Sequence, residues 1–427
     1  MNLAVDDLPV ESATSRNPSR QSLAALDALN FFLADVRDGM GPFLGTFLRE
    51  SHRWTPDHVG FAMAASQIGT LLAQTPAGAL VDRIRWKRLA VMLAALTVGG
   101  ACLLTYVMPT FWVVVLAQAV IGMAAAIFPP AIAAMTLGLV GRGLMPRQTG
   151  RNEAFNHAGN VIAAGLAGAA AYYFGYWAMF AVVAAMAVAS AGAVALLRAR
   201  EIDHDLARGA DGEAELQDKP MVLSVVFLDK RIMVFMVSVV LFHFANAAML
   251  PLVGQKSGDG LKSGAVVVMA ACIIVAQLVM VPVAIAASRL AASRGRKPVF
   301  LVGFAVLPIR GVLYCLSINP VFLITVQLLD GIGVGIFGVL SVLMIADLTR
   351  GTGRFNLVQG AIATATGLGA GLSHLISGFV VAKAGFNAAF LMLAAIATFA
   401  ALFFAFAMPE TMVTGNLAES PHPLGVG

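Results

Sequence analysis

Twelve apolar runs, each long enough to cross a bilayer as a helix, take up most of this chain of 427 residues. A spanning helix needs about 20 apolar residues. Such runs occur near 23–48, 58–81, 88–108, 111–140, 153–174 and 177–198, and then near 231–253, 263–287, 299–318, 320–346, 355–383 and 386–407. In hydrocarbon every backbone polar group must be satisfied within the protein, so runs of this length are expected as helices. Composition agrees, with 59% of residues hydrophobic and 12% charged. A soluble globular chain carries about twice that charge, and a disordered one is poor in the aliphatic residues that dominate here. The expected class is an all-α integral membrane protein with the lipid bilayer as its surroundings.

Only one connection is long and charged. Residues 199–220 include Glu201, Asp203, Asp205, Asp211, Glu213, Glu215 and Asp218 beside Arg208 and Lys219, and are expected to form a solvated linker. The linker separates an N-terminal half, 23–198, from a C-terminal half, 221–408, with tails at 1–22 and 409–427. Counted against the spans, 21 basic residues fall on the side of the termini and five on the other. By the positive-inside rule both termini are expected in the cytoplasm, and in a bacterium the membrane is the inner one. The formal charge of +5 is thereby explained without a nucleic-acid partner. No removable leader is expected in the polar N-terminus. The three cysteines, Cys102, Cys272 and Cys315, lie far apart in apolar stretches, so neither disulfide nor metal site is expected, and no cofactor either.

The two halves repeat one another. Gln118, Gly122 and Ile127-Phe128 in the fourth span match Gln327, Gly331 and Ile336-Phe337 in the tenth, all at an offset of 209. The run Gly175-Tyr176-Trp177-Ala178-Met179-Phe180 matches Gly385-Phe386-Asn387-Ala388-Ala389-Phe390 at 210. An even number of spans per half makes the repeats parallel, related by an axis along the membrane normal.

At the end of the second span stands GALVDRIRWKR, from Gly78 to Arg88. It resembles the cytoplasmic signature of the major facilitator superfamily, G-x-L-x-D-R-x-G-R-K, with Gly78, Leu80, Asp82, Arg83 and Lys87 in register. Arg85 and Trp86 replace the family's Gly and Arg, and the second half keeps Gly295-Arg296-Lys297 without the aspartate. The resemblance covers essentially the whole chain. It implies twelve transmembrane helices in two parallel, pseudo-symmetric six-helix halves, and a gate motif in which Asp82 faces arginines and the start of the eleventh span. It also implies a secondary active transporter, expected as a monomer, that carries a small organic solute by alternating access. Overall likeness to twelve-span exporters favours efflux by proton antiport. The alternative is uptake of an organic anion by proton symport, and a transport-dead sensor or scaffold is the remote one. The family's proton-driven drug exporters carry an arginine where this chain has Gln118. No nucleophile and base set, metal-ligand spacing or phosphate-binding G-x-x-x-x-G-K-S/T loop is present, so neither an enzyme nor an ATP-driven pump is expected.

Charge deep in a span is costly and marks a partner or a function. In the first span Asp35, Arg37 and Asp38 lie roughly 18 Å from its start at 1.5 Å per residue. A continuous helix puts Asp35 and Asp38 on one face, with Asn30 and Ala34 leading to Asp38. Two carboxylates and one guanidinium leave a surplus acid, which makes Asp35 and Asp38 the proton-coupling candidates. Aligning Ala34-Asp35 with Ala245-Asn246 sets His243 and Asn246 in the matching part of the seventh span. Asn30, Arg37, Gln118, His243, Asn246 and Gln327 are the candidate cavity residues. Arg310 and Asp330, at about the same depth on the ninth and tenth spans by the same rise, are expected to form a midplane ion pair.

Overall fold

A computed structural model describes residues 18–37, 40–204, 206–208, 229–261, 264–349 and 355–412. Among them are thirteen α-helices: α1 (Arg20–Val36), α2 (Gly41–His52), α3 (Pro56–Arg83), α4 (Lys87–Val107), α5 (Phe111–Ala125), α6 (Phe128–Phe174), α7 (Tyr176–Leu196), α8 (Lys230–Asn246), α9 (Met249–Leu261), α10 (Gly264–Arg294), α11 (Arg296–Leu316), α12 (Pro320–Leu348) and α13 (Phe355–Ala407). Caps mark several starts: Ser19 Oγ accepts from Ser22 N–H at 3.2 Å, Asp229 from Arg231 N–H at 2.8 Å, and Asn319 from Val321 N–H at 2.9 Å.

Twelve crossings result. The first is α1 with α2, the seventh α8 with α9. The fourth runs from α5 into the start of α6, which turns at Gly141 (φ 75°) and returns as the fifth. The eleventh and twelfth are the parts of α13 on either side of Gly385. Eight stretches, the longest being Val358–Ala407, meet the length and apolarity of a span by composition alone, while the first, second and fifth crossings are more polar. The helices are apolar on both sides because the outer side meets lipid. Leu72, Trp112 and Phe406 are exposed there, while Ala, Gly and Phe fill the interior.

Two expectations need correction. The first and seventh spans are not continuous helices: α1 ends at Val36 and α2 begins at Gly41, and α8 ends at Asn246 with α9 from Met249. Asp38, at the end of the face expected to lead from Asn30, lies outside the described residues. Nor is the linker solvated where it begins. Ile202 and Ala207 are buried, and Asp203 N–H donates to Gly138 O at 3.0 Å, so this stretch docks on α6.

The halves pack against each other through small residues, and the contacts repeat at the sequence offset. A Cβ at Gly45 of α2 would lie 3.0 Å from Gln255 Nε2, and one at Gly254 of α9 would lie 2.6 Å from Thr46 Oγ1. Gly254 is Gly45 plus 209 and Gln255 is Thr46 plus 209, so one contact is made twice about the pseudo-twofold axis. Gly378 of α13 meets the Gly60 Cα of α3 at 3.0 Å from its would-be Cβ. At an offset of 210 in each partner, Gly168 of α6 meets the Ala270 Cβ of α10 at 2.6 Å. Gly175 (φ 87°) and Gly385 (φ 84°) are matching turns that only glycine enters without strain.

Call the side on which α1 starts and α13 ends the terminal face. The crossings just named all lie toward the opposite, far face, where Arg49 of α2 also stacks on the Phe386 ring, 5.5 Å from its centroid. Toward the terminal face, among the described residues, no atom lies within 4 Å of a Cβ position at Gly78, Gly360 or Gly367. The halves are packed together at the far face.

Candidate functional site

Between the halves, beneath the far-face seal, lies a cavity of about 460 Å³. Its walls include Arg37, Gln67, Gln118, Asn246, Arg310 and Asp330, with Pro42 and Pro251 at the starts of α2 and α9. The wall is built at the breaks of the first and seventh crossings. A broken helix leaves carbonyls and N–H groups without intrahelical partners, and the second half meets this need with side chains. Ala248 N–H donates to Ser373 Oγ at 3.0 Å, and Arg310 Nη2 donates to Asn246 O at 3.4 Å.

Arg310 is the most buried charge here, 1% exposed. Its Nη1 pairs with Asp330 Oδ1, and its Nε donates to Met249 Sδ at 3.3 Å. Gln327 Nε2 donates to the other Asp330 oxygen at 2.8 Å and Gln327 Oε1 accepts from Tyr314 O–H at 2.5 Å. One guanidinium thus joins three helices, and one carboxylate is held from two. Two cavity residues are less saturated. Gln118 Nε2 and Asn246 Oδ1 are buried and have no hydrogen-bond partner among the described residues. Gln118 belongs to the first half and Asn246 to the second, and both residues line the cavity.

The structure separates the candidate residues into two groups. Arg37, Gln118, Asn246, Arg310 and Asp330 line the cavity. Asn30 is buried and donates to Leu26 O at 2.8 Å, within its own helix. His243 packs edge-on to Phe242 and Phe337. Gln327 stands behind Asp330, and Asp35 lies toward Cys102 of α4, outside the cavity wall. The reason for His243 is register: Gly159 meets Ala34 as Gly369 meets His243, an offset of 209 or 210, so Ala34 corresponds to His243 and not to Ala245. The same register pairs Arg37 with Asn246 and Pro42 with Pro251, all cavity residues. The wall also holds Gln67 and Gln74, which the sequence leaves equally open to a cavity or an interhelical role, and Thr70 and His374, which sequence reasoning did not place there. The recurrence of glutamine within spans was the signal for two of them.

At the terminal face, Gly78 has open space beside it, Arg83 is exposed, and buried Lys87 donates to Ile84 O at 2.7 Å. The Asp82 side chain and residues 350–354 lie outside the described residues. A second contact between the halves lies deeper, where His157 Nδ1 of α6 is 2.7 Å from Gln277 Oε1 of α10.

Two parallel six-helix halves around a polar cavity at their interface, with broken helices in its wall, define a multi-pass membrane transporter. The chain belongs to the major facilitator superfamily, whose family model matches residues 26–307 and 276–422. It is 48% identical over 402 residues to each of two curated proteins from two strains of Mycobacterium tuberculosis, both named as uncharacterized MFS-type transporters; the match covers 94% of this chain and 96% of each relative. Among solved structures, the crystal structures of the nucleoside transporter NupG, as an aspartate-to-alanine mutant and without that mutation, share the fold. They give TM-scores of 0.75 and 0.74 at 14% identity, over 91% of this chain and 100% and 99% of theirs.

Proposed function

We propose that the chain exports a small, polar organic solute in exchange for protons, loading it from the cytoplasm into the central cavity. One observation carries the solute class: the amides of Gln118 and Asn246, on opposite halves, line the cavity, and Gln118 Nε2 and Asn246 Oδ1 have no partner among the described residues. A solute with its own acceptor and donor satisfies both once the amides turn toward it, and because they belong to different halves its binding couples to their relative motion. Buried polar groups left unpaired cost roughly 1–3 kcal/mol each, which gives such a solute its advantage over an apolar one. A cavity of about 460 Å³ suits a molecule of drug size or smaller.

The excess of basic residues, 21 against five, supports a cytoplasmic terminal face in a bacterial inner membrane. Asp35 and Asp38 are assigned the proton, since the Asp330 carboxylate is already paired with Arg310 and Gln327. Uptake of an organic anion with protons is the second reading, favoured by a described wall that holds two guanidinium groups, Arg37 and Arg310, and one carboxylate, Asp330.

Counterflow in proteoliposomes, against a panel of neutral, cationic and anionic solutes with and without a pH gradient, tests the proposal. Export is supported by flux of a polar solute that an inward proton gradient accelerates and that is uncoupled from pH in an Asp35→Asn, Asp38→Asn double variant. Gradient-driven uptake of a carboxylate selects the second reading, and coupling that survives in the double variant removes these two residues from the mechanism.

A further inference from the structure

The terminal-face ends of the two halves differ in a way the central cavity does not use. After α13 the chain folds back, and the Glu410 carboxylate accepts from the backbone N–H groups of Arg296 at 2.8 Å and Lys297 at 3.0 Å, seated on the first turn of α11. The offset of 209 puts Glu201 at the matching place in the first half. There Glu201 turns the other way: it accepts from the backbone N–H and hydroxyl of Ser19 at 3.1 and 2.9 Å, and from Arg198 at 3.4 Å. Beside the loop that enters α4, where the second half has its carboxylate, the first half has a cavity of about 430 Å³.

This cavity combines two kinds of wall. Arg85, Trp86 and Arg88 stand at its outer end, and Leu89, Met92 and Val194 form its inner side. Arg88 is fixed there, donating to Val194 O at 3.1 Å and Ala195 O at 2.5 Å, the last carbonyls of α7. Trp86 is half exposed, and the surface continues into lipid-facing Leu93 and Leu196. Because α4 begins and α7 ends here, the site lies at the boundary between headgroups and hydrocarbon, where tryptophan and basic residues concentrate. A free anion would use the basic end and leave the apolar side without a purpose.

We propose that this cavity binds an anionic phospholipid of the terminal-face leaflet, with its phosphate beside Arg85 and Arg88 and an acyl chain against Leu89 and Met92. The lipid phosphate takes the place that the Glu410 carboxylate takes in the second half.

The test is native mass spectrometry of the full-length protein released from phosphatidylcholine bilayers containing about a third phosphatidylglycerol, an anionic fraction that recruits basic sites. The wild type is expected to retain phosphatidylglycerol over phosphatidylcholine. Arg85→Gln is expected to lower that preference about fivefold, the loss of one basic contact near a membrane surface. Ala199→Trp, which obstructs the cavity without removing charge, is expected to lower it as well, whereas Arg289→Gln, at an exposed arginine outside the cavity, leaves it intact. The two site variants act by unrelated means, so a folding defect in one leaves the other decisive. An unchanged preference in either folded site variant, an equal fall in Arg289→Gln, or displacement of the lipid by inorganic phosphate alone would overturn the proposal.

Discussion

The two halves follow the same helical path but distribute their polar chemistry differently. At the offset of 209, Arg310, Tyr314 and Asp330 of the second half correspond to Ala101, Thr105 and Ile121 of the first. Gln118 and Gln327 correspond as well, yet Gln327 is spent on Tyr314 and Asp330 while Gln118 lacks those neighbours and faces the cavity. The same residue on the same helix has two duties because of what stands one turn away. The glycine contacts between the halves, in contrast, are duplicated between corresponding residues. Duplication preserved packing, which every copy of the fold needs, and left the polar sites free to diverge.

Breaking the ion pair should produce the largest effect. Arg310→Met leaves the Asp330 carboxyl partly buried and short of its cationic partner, at an expected cost of about 3–5 kcal/mol in stability. Giving the second half the residues of the first, Arg310→Ala with Asp330→Ile, should recover most of that loss in thermal unfolding of the solubilised protein, but not counterflow. A double variant as unstable as the single would show that Arg310 serves chiefly to hold the α8–α9 break through Asn246 O.

Next in size are the far-face crossings. A Cβ at Gly378 would lie 2.6 Å from the Pro56 carbonyl oxygen, so Gly378→Ala should destabilise the shut far face by about 1–3 kcal/mol, as overpacking does. Gly168→Ala, at the matching position, should behave alike if the halves are equivalent there. Gly367→Ala, with open space beside it, should instead gain about 0.5–1 kcal/mol from helix propensity. Melting temperatures of the three variants measure this directly. A stable Gly168→Ala beside an unstable Gly378→Ala would break the symmetry of the crossings.

The smallest effect belongs to the terminal face. Burial pushes the Glu410 carboxyl up, but the backbone N–H groups of Met412, Arg296, Lys297 and Thr411 together hold it below the usual glutamate range. A carboxyl depressed on folding adds stability that is complete above its unfolded pKa and is lost as pH falls through the folded value. Glu410→Gln should therefore cost about 0.5–1 kcal/mol near neutral pH, after solvent screening, and little in acid. A pH series of melting temperatures reads this out. Glu201→Gln, whose partners are Ser19 and Arg198, should leave α4 undisturbed, and loss of α4 packing in that variant would mean the two glutamates are equivalent after all.

Much of this protein was determined by its sequence alone. Twelve runs of sufficient length leave a lipid-embedded chain no alternative to helices, because unpaired backbone is prohibitive in hydrocarbon. The repeat was legible too, since packing glycines recur at an offset of 209 or 210 and turn glycines at 210. The depths of Arg310 and Asp330 followed from helical rise. What the sequence did not disclose was where the first and seventh helices break: both breaks fall in apolar or mixed runs that read as continuous, and side chains distant in sequence, Ser373 and Arg310, satisfy the released backbone. Those breaks set the rotation of each helix, and with it whether Asn30, Asp35 or Arg37 reaches the cavity. Tertiary structure alone decided that, because a helix in lipid is apolar on every side and its periodicity carries no record of which face a neighbouring helix will cover.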